Sequence, residues 1–172
     1  MLKILVAVDG SELSLDAVRH ALGLRQQGLA AEFVLANVQE PASLYEMLTM
    51  RDPEKLLNVS TGAGEHLLER ARQLCTAAGA TYECDVESGD PAHMLIDIAE
   101  RYACDAIVVG ARGRGGLGGP MLGSVSQVLA HESPLPVTVV KHMQADDEAS
   151  REGMYAHMAP PADSMEVVIG LA

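Results

Sequence analysis

Residues 105–129 read DAIVVGARGRGGLGGPMLGSVSQVL. The run AIVV at 106–109 is short, continuous and rich in β-branched residues, which is typical of a strand that is covered on both faces. Gly110 ends this predicted strand, a glycine-rich loop follows, and a short helix over 124–131 begins at Ser124. A buried strand that leads through a loop into a helix is the repeating unit of an α/β protein with a parallel sheet. This stretch therefore predicts the fold class.

The rest of the chain alternates in the same way. Apolar runs and helical periodicity predict strands over 4–8, 32–38, 81–87 and 135–141 and helices over 13–27, 64–78 and 92–102. Pro134 and Pro136 favour an edge position for the last strand, because proline cannot donate to an interior ladder. The sequence predicts a single-domain α/β fold: a five-stranded, mostly parallel sheet with helices on both faces and right-handed crossovers.

Two stretches depart from the alternation. Apolar residues at 44–50 predict a short amphipathic helix within a long connection over 40–61, which either packs on the sheet edge or forms a lid beside a ligand crevice. Residues 143–172 carry one arginine against six acidic residues and include a proline pair typical of a linker. We therefore divide the chain into an α/β domain, 1–142, and an acidic tail, 143–172. The strand-like end of the tail has three open interpretations: adding to a sheet edge, pairing with a partner chain, or weak order.

Composition argues against several function classes. The 172 residues carry a formal net charge of −12 and only 3% aromatic residues. Such a surface repels phosphate backbones and offers few stacking rings, so we expect no nucleic-acid partner. The cysteines Cys75, Cys84 and Cys104 are odd in number and lack C-x-x-C spacing, which indicates buried thiols in a reducing compartment. No apolar run approaches about 18 residues, and signal-peptide features are absent. We expect a cytoplasmic protein without membrane insertion.

The glycine-rich loop is the segment that carries chemistry. Glycine is favoured where the backbone takes a positive φ or approaches a ligand closely. The free N–H groups at the start of the 124–131 helix, its positive dipole end and the Ser124 and Ser126 hydroxyls form an anion site. Arg112 and Arg114 add positive charge to a strongly acidic chain. We interpret the loop as a phosphate-binding segment.

Three familiar catalytic or nucleotide motifs do not fit. The G-x-G-x-x-G at 113–118 follows the fourth predicted strand, leads into no helix directly, and has Thr138 where a ribose-binding carboxylate is expected. Gly123-Ser124 lacks the lysine of a P-loop. Ser124 belongs to G-S-V-S rather than to the G-x-S-x-G of a hydrolase. The six histidines show no metal-ligand spacing. We predict no catalytic residue and no metal site built by the protein alone.

The spacing Gly110-x2-Gly113-x9-Gly123-Ser124 resembles the ATP-binding signature of the universal stress protein family. The resemblance covers about residues 2–141. It includes ILVAVDGS at 4–11, GDP at 89–91, DAIVVG at 105–110, LGSVS at 122–126 and PVTVV at 136–140. Several ordered motifs at matching separations make this resemblance specific.

The resemblance implies a Rossmann-like fold of the adenine nucleotide α-hydrolase type, which forms homodimers through strand 136–141 and binds ATP between its first and fourth strands. Asp9 would contact the ribose or the nucleotide's metal, and the Val38 backbone would meet adenine. Gly110 and Gly113 would let the loop wrap the ribose and phosphates. The implied nucleotide-binding residues are Val8, Asp9, Gly10, Ser11, Val38, Gly110, Arg112, Gly113, Gly123, Ser124, Val125 and Ser126.

The leading functional hypothesis is a cytoplasmic, homodimeric stress or regulatory protein in which bound ATP shifts conformation or partner choice. A ligand shifts an equilibrium only by its differential affinity for the two states. Mg²⁺ would arrive with the phosphates, since the sequence shows no carboxylate cage. Two alternatives stay open: a slow ATP hydrolase or nucleotidyl transferase on the same fold, and a nucleotide-free dimeric interaction module.

Overall fold

Strands and helices alternate along the chain. The computed structural model describes residues 1–39, 53–113 and 122–141, and the side chains of all of these except 53–63. Its elements are β1 (Leu2–Ala7), α1 (Glu12–Gln26), β2 (Ala31–Gln39), α2 (Pro53–Ala77), β3 (Tyr82–Ser88), α3 (Pro91–Arg101), β4 (Ala106–Gly110), α4 (Ser124–Glu132) and β5 (Val137–Val140).

The strands form one parallel sheet in the order β3-β2-β1-β4-β5. In the register of the central strand, Val6 of β1 lies between Leu35 of β2 and Val108 of β4. The chain winds outward from β1 through β2 to β3, then crosses to β4 and β5 on the other side. The strand order therefore reverses between β1 and β4. The predicted five-stranded α/β fold and the edge position of the last strand are confirmed.

Side chains alternate between the two faces of the sheet and build two apolar layers. Helices α1 and α2 cover one face, where Phe33 and Leu68 are buried. Helices α3 and α4 cover the other face, where Leu5, Ile98 and Leu129 are buried. Each such side chain contributes roughly 1.5–3 kcal/mol when fully buried. These layers fix the strand ends around which the candidate site is built.

Two helices begin at residues whose side chains close the first turn. Ser11 caps α1, and its Oγ accepts a hydrogen bond from the Ser14 N–H at 3.1 Å. Asp90 caps α3, and its Oδ1 accepts from the His93 N–H at 3.1 Å. Pro91 follows at the start of α3, where a missing N–H costs no helical hydrogen bond. The predicted helix start at Asp90-Pro91 is confirmed.

Helix α2 begins at Pro53 and not at Gly64, so the prediction of a connection over 40–61 is wrong for 53–61. The sequence NVSTGAG at 58–64 indicates a loop because serine, threonine and glycine are weak helix formers. Packing explains Gly64: a Cβ built there would stand 2.8 Å from Asn37 Oδ1 and would also meet the Val86 side chain. The short helix predicted at 44–50 lies outside the described residues.

The other element boundaries lie within two residues of the predicted ones, as at β5, where Val137–Val140 replaces 135–141. Residues Met1–Lys141 form one unit. The acidic tail over 143–172 lies outside the described residues, and its role stays a prediction. None of the helices in the described part of the chain is long and apolar enough to cross a membrane.

Candidate functional site

A cleft of about 630 Å³ opens where β1, β2 and β4 end. Ligands bind at such a point in open parallel sheets, where the strand order reverses, and the volume falls within the roughly 300–1,000 Å³ of small-molecule sites. Ten of the twelve predicted site residues line this cleft: Val8, Asp9, Val38, Gly110, Arg112, Gly113, Gly123, Ser124, Val125 and Ser126. The fold therefore brings together residues that lie up to about 118 positions apart in the chain. Their role in binding stays a prediction.

Asp9 follows β1 and builds the turn into α1. Its Oδ1 accepts hydrogen bonds from the Ser11 N–H at 3.0 Å and from the Ser11 hydroxyl at 2.6 Å. Between them, Gly10 has a φ of +81°, which glycine adopts without steric cost. Gly10 and Ser11 therefore shape the turn and do not line the cleft, which differs from the site prediction. Asp9 lines it and places a carboxylate on its wall.

The protein's own packing requires glycine at the last residue of β4 and at one position in the loop after it. A Cβ built on Gly110 would lie 2.9 Å from the Leu13 carbonyl oxygen at the start of α1. A Cβ built on Gly113 would lie 2.6 Å from Asp9 Oδ2. The loop thus runs tightly against α1 and against the turn after β1. These close approaches give a reason for both glycines that does not depend on a ligand.

The N-terminus of α4 opens on the cleft without a side-chain cap. Gly123 is the N-cap residue and makes no side-chain hydrogen bond to the first turn, in contrast to Ser11 of α1 and Asp90 of α3. The Gly123 carbonyl accepts the first helical bond, from the Gln127 N–H at 2.9 Å. The N–H groups of Ser124 and the two residues after it precede that bond, so the helix offers them no partner. They and the helix dipole create a positive region on the cleft wall.

The Ser126 hydroxyl contacts main-chain carbonyls of the protein. Ser126 is 2% exposed, and its Oγ lies 2.9 Å from the Ala111 carbonyl oxygen and 3.0 Å from that of Gly123. A hydroxyl has one hydrogen to donate, and carbonyls inside the protein take it. The Ser126 hydroxyl is therefore engaged within the protein in this structure, and its donation to phosphate stays a prediction. Its main-chain N–H remains in the first turn of α4, and the exposed Ser124 hydroxyl lines the cleft.

The end of β2 presents main-chain groups to the cleft. The Ala36 carbonyl accepts from the Val8 N–H at 2.8 Å, so Ala36 faces β1. Main-chain groups of every second residue in a strand point to the same side. The main-chain groups of Val38 therefore point to the same side as those of Ala36, but they lie beyond the end of β1 at Ala7. The Val38 N–H and C=O are directed into the cleft that this residue lines.

Among the described lining residues, Asp9 and Arg112 carry the charge of the cleft. A Cβ built on Gly123 would stand 3.3 Å from the Arg112 Cα, so the arginine backbone lies against the start of α4. Arg114, the second predicted cation, lies outside the described residues. Where side chains are described, no group of three or more histidine, cysteine, aspartate or glutamate residues is placed to hold a metal ion.

Asn37 is a cleft residue that the sequence analysis missed. It is 2% exposed, and its Nδ2 donates to the Val8 carbonyl oxygen at 2.6 Å. Its Oδ1 accepts from the Gln39 Nε2. An asparagine inside an apolar strand pattern gives no signal of its own, because only the pairing of β1 with β2 brings it to Val8. Further lining residues without a sequence signal are Ala7, Ser14, Ala36, Gln39, Leu67, Pro91, Leu95 and Val109.

Comparison with known proteins agrees with this architecture. The model of the universal stress protein family matches residues 1–141. Universal stress protein YxiE of Bacillus subtilis is 33% identical over 145 residues, which cover 81% of this chain and 98% of YxiE.

Two similar solved structures contain nucleotides. A universal stress protein in complex with cAMP has a TM-score of 0.57 and 26% identity, over 81% of this chain and 96% of that one. A family protein from Arabidopsis thaliana with AMP bound has a TM-score of 0.59 and 24% identity, over 86% of this chain and 95% of that one. On the family match, the identity with YxiE and the shared fold, this chain belongs to the universal stress protein family.

Proposed function

We propose that this protein binds an adenine nucleotide in the cleft at the ends of β1, β2 and β4, with ATP and Mg²⁺ as the full ligand. The observation that carries the proposal is the uncapped N-terminus of α4, which opens on the same cleft as Asp9 and the Val38 main chain. An anion site, a carboxylate and an exposed main-chain donor–acceptor pair are the groups that phosphates, a metal ion and a base require.

The phosphates would lie at the start of α4. The N–H groups of Ser124, Val125 and Ser126 supply directed donors, and the helix dipole favours negative charge there. The Ser124 hydroxyl adds a donor, and Arg112 lies beside the N-cap residue. In a chain of net charge −12, this local positive region is what allows an anionic ligand to bind.

The base would lie against the end of β2. Val38 directs one N–H donor and one C=O acceptor into the cleft, and the apolar side chains of Leu67 and Leu95 line the same space. Adenine carries an amino donor next to a ring-nitrogen acceptor, whereas guanine has a carbonyl in place of that amino group. Recognition by Val38 therefore favours adenine.

The metal ion would share Asp9 with the phosphates. Mg²⁺ is usually held by one or two carboxylates together with substrate phosphates and keeps several waters. Asp9 is the carboxylate among the described lining residues, and its Oδ2 is on the side of Gly113. Binding of Mg²⁺ should therefore depend on the presence of nucleotide phosphates.

The comparisons support nucleotide binding in general. The family structure with cAMP is 26% identical to this chain, and the fold is shared with a family protein that has AMP bound. Both of those ligands carry a single phosphate, so the triphosphate preference is argued from the α4 N-terminus of this chain. Titration with AMP, cAMP and ATP, each with and without Mg²⁺, tests that preference.

We propose that ATP acts as a ligand that shifts conformation or partner choice. Apart from Asp9, the described lining residues of the cleft include no histidine and no second carboxylate that could activate a water molecule. A hydrolase or nucleotidyl transferase would release phosphate, pyrophosphate or AMP over many turnovers from Mg²⁺-ATP. Such release from purified protein would replace the ligand proposal with the enzymatic one.

Isothermal titration of the purified chain with Mg²⁺-ATP tests the central proposal. We expect one site per chain in the wild type and a loss of affinity in Gly123→Val, because even a Cβ at that position meets the Arg112 backbone at 3.3 Å. Gly23→Ala is the matched control, since a Cβ at Gly23 meets nothing within 4 Å. A wild type that binds no adenine nucleotide would leave the nucleotide-free interaction module as the better hypothesis.

We also propose a cytoplasmic homodimer that pairs through strand 136–141. The three cysteines are free thiols, which suits a reducing compartment. Strand β5 lies at the edge of the sheet, and an uncovered edge is a template for pairing with another chain.

A further inference from the structure

The hydrogen-bond ladder between β1 and β2 stops at Val8. The Val8 N–H donates to the Ala36 carbonyl at 2.8 Å. In a parallel ladder the next bond would run from the Val38 N–H back to the Val8 carbonyl. That carbonyl instead accepts from Nδ2 of Asn37 at 2.6 Å. A side chain thus takes the acceptor that the next step of the ladder would use.

The surroundings hold the Asn37 amide in one orientation. A main-chain carbonyl can only accept, so the amide nitrogen of Asn37 must face Val8. Its Oδ1 faces the other way, where it accepts from Gln39 Nε2. Gly64 of α2 lies against the same oxygen, because a Cβ at that glycine would stand 2.8 Å from it. With 2% exposure, Asn37 has little freedom to turn.

We infer that Asn37 is a positioning residue for base recognition: its Nδ2 contacts the Val8 carbonyl in the place of the Val38 N–H, which leaves that N–H to an adenine base in the cleft. This inference rests on the proposed nucleotide-binding function and deepens it. Asn37 would not touch the phosphates, which lie at the other wall, against α4. Its effect should therefore fall on the choice of base and not on the affinity for the phosphate chain.

Titrations with three ligands separate these effects. Wild type, Asn37→Leu and Asn37→Asp are each titrated with ATP, GTP and inorganic tripolyphosphate in the presence of Mg²⁺. Leucine removes both hydrogen bonds, and aspartate places an oxygen where the donor to Val8 was. We expect ATP affinity to fall about tenfold, as for one lost hydrogen bond, and the preference for ATP over GTP to fall with it. Tripolyphosphate affinity should stay at its wild-type value.

A merely structural role would give a different result. Ile98→Val is the control: Ile98 is fully buried in α3 and does not line the cleft, so it should lower stability without changing the ATP-to-GTP preference. If folded Asn37 variants keep the wild-type preference, the inference is wrong. If the wild type binds neither ATP nor tripolyphosphate, the proposed function fails first and the role of Asn37 in base recognition fails with it.

Amide hydrogen exchange of the wild type tests the same inference without a variant. The Val38 amide should exchange at least about a hundredfold faster than the Ala36 amide, which lies within the β1–β2 ladder and opens only with it. Added ATP should slow the exchange of Val38. Equal protection of the two amides in the absence of ligand would show that the ladder continues past Asn37 and would overturn the inference. Because this measurement uses the wild type, it remains decisive if both Asn37 variants fail to fold.

Discussion

Gly113 packs closely against Asp9: a Cβ built on Gly113 would lie 2.6 Å from Oδ2 of Asp9. Gly113 is in the loop after β4, and Asp9 is in the turn after β1. This close approach therefore joins the two sides of the point at which the strand order reverses. Because Oδ1 of Asp9 is held by Ser11, Oδ2 is the oxygen that a group on Gly113 would displace.

Gly113→Ala should weaken nucleotide binding. The added methyl group must push the Asp9 carboxylate or the loop aside, and overpacking of this kind costs about 1–3 kcal/mol. We expect the affinity for Mg²⁺-ATP to fall about tenfold or more, as measured by titration calorimetry. Wild-type affinity in this variant would contradict the placement of Asp9 and Gly113 at the ligand site.

The serines at the start of α4 should separate stability from binding. Ser126→Ala removes a buried hydroxyl that holds the Ala111 and Gly123 carbonyls, so we expect a loss of about 1 kcal/mol in the free energy of unfolding by urea. Ser124→Ala should leave that free energy unchanged and lower ATP affinity a few-fold. A loss of stability in Ser124→Ala together with a loss of ATP affinity alone in Ser126→Ala would contradict these roles of the two hydroxyls.

The three thiols should react at different rates. Burial raises the pKa of Cys75 to about 11 and that of Cys104 to about 11, which suppresses their reactive thiolate forms. Cys84 is half-buried and lies 3.2 Å from the Arg72 Nε, which donates to its sulfur. Iodoacetamide at pH 8 should modify Cys84 first, as read by peptide mass spectrometry. Faster labelling of Cys75 would contradict the described core.

His93 should make stability depend on pH. Its Nδ1 lies 2.6 Å from Asp90 Oδ1, and its Nε2 lies 3.3 Å from Glu132 Oε2. The hydrogen bond with Asp90 raises the pKa of His93 above its ordinary value of about 6.5. The His93 N–H lowers the pKa of Asp90. The contribution of His93 to the free energy of unfolding is therefore complete below about pH 6.5 and is lost as pH rises through the folded-state pKa.

The contribution of Asp90 to the free energy of unfolding depends on pH in the opposite direction. It is present above the unfolded pKa of 3.8 and is lost as pH falls through the lowered folded-state pKa. Urea midpoints of the wild type should accordingly decline between pH 6 and pH 8.5, to a small extent because the groups are exposed and screened by salt. His93→Gln should flatten that decline. An unchanged slope would show that the contacts of His93 contribute nothing in solution.

Sequence patterning could predict what depends on local residue periodicity. The β-branched runs of β1 and β4 and the Asp90-Pro91 helix start each carry their own signal. The serine, threonine and glycines at 58–64 do not, because they favour a loop locally. Contact with Val86 and Asn37 makes glycine suitable at position 64 of α2. Tertiary packing overrode propensity there.

The residues of the candidate site likewise include some that the sequence could predict and some that it could not. The glycine spacing after β4 marks residues that do meet at one cleft, since their order in the chain and the α/β topology suffice to place them. The role of the Ser126 hydroxyl was missed because its acceptor is Ala111, across the loop. Asn37 was missed because its partner, Val8, belongs to a different strand. Such contacts between distant residues leave no periodic trace in a single sequence.

The outer side of β5, which pairs with no other described strand, offers the last prediction. Pro136 and Val140 face β4, because their carbonyls accept from Ile107 at 2.9 Å and from Ala111 at 2.7 Å. Val139 therefore directs its N–H to the side of β5 away from β4. Val139→Pro removes that donor while leaving the β4–β5 ladder intact, so it should turn a dimer paired through β5 into a folded monomer, as measured by light scattering.

Thr138→Pro is the matched control for the edge. Thr138 faces β4 as its even-numbered neighbours do, so proline there should break the β4–β5 ladder and lower the unfolding midpoint. The two substitutions, one residue apart, thus distinguish pairing between chains from pairing within one. A wild type that is monomeric at all concentrations, or a Val139→Pro variant that stays dimeric, would exclude strand 136–141 as the dimer contact, because edge pairing of two β5 strands requires main-chain donors on the outward side.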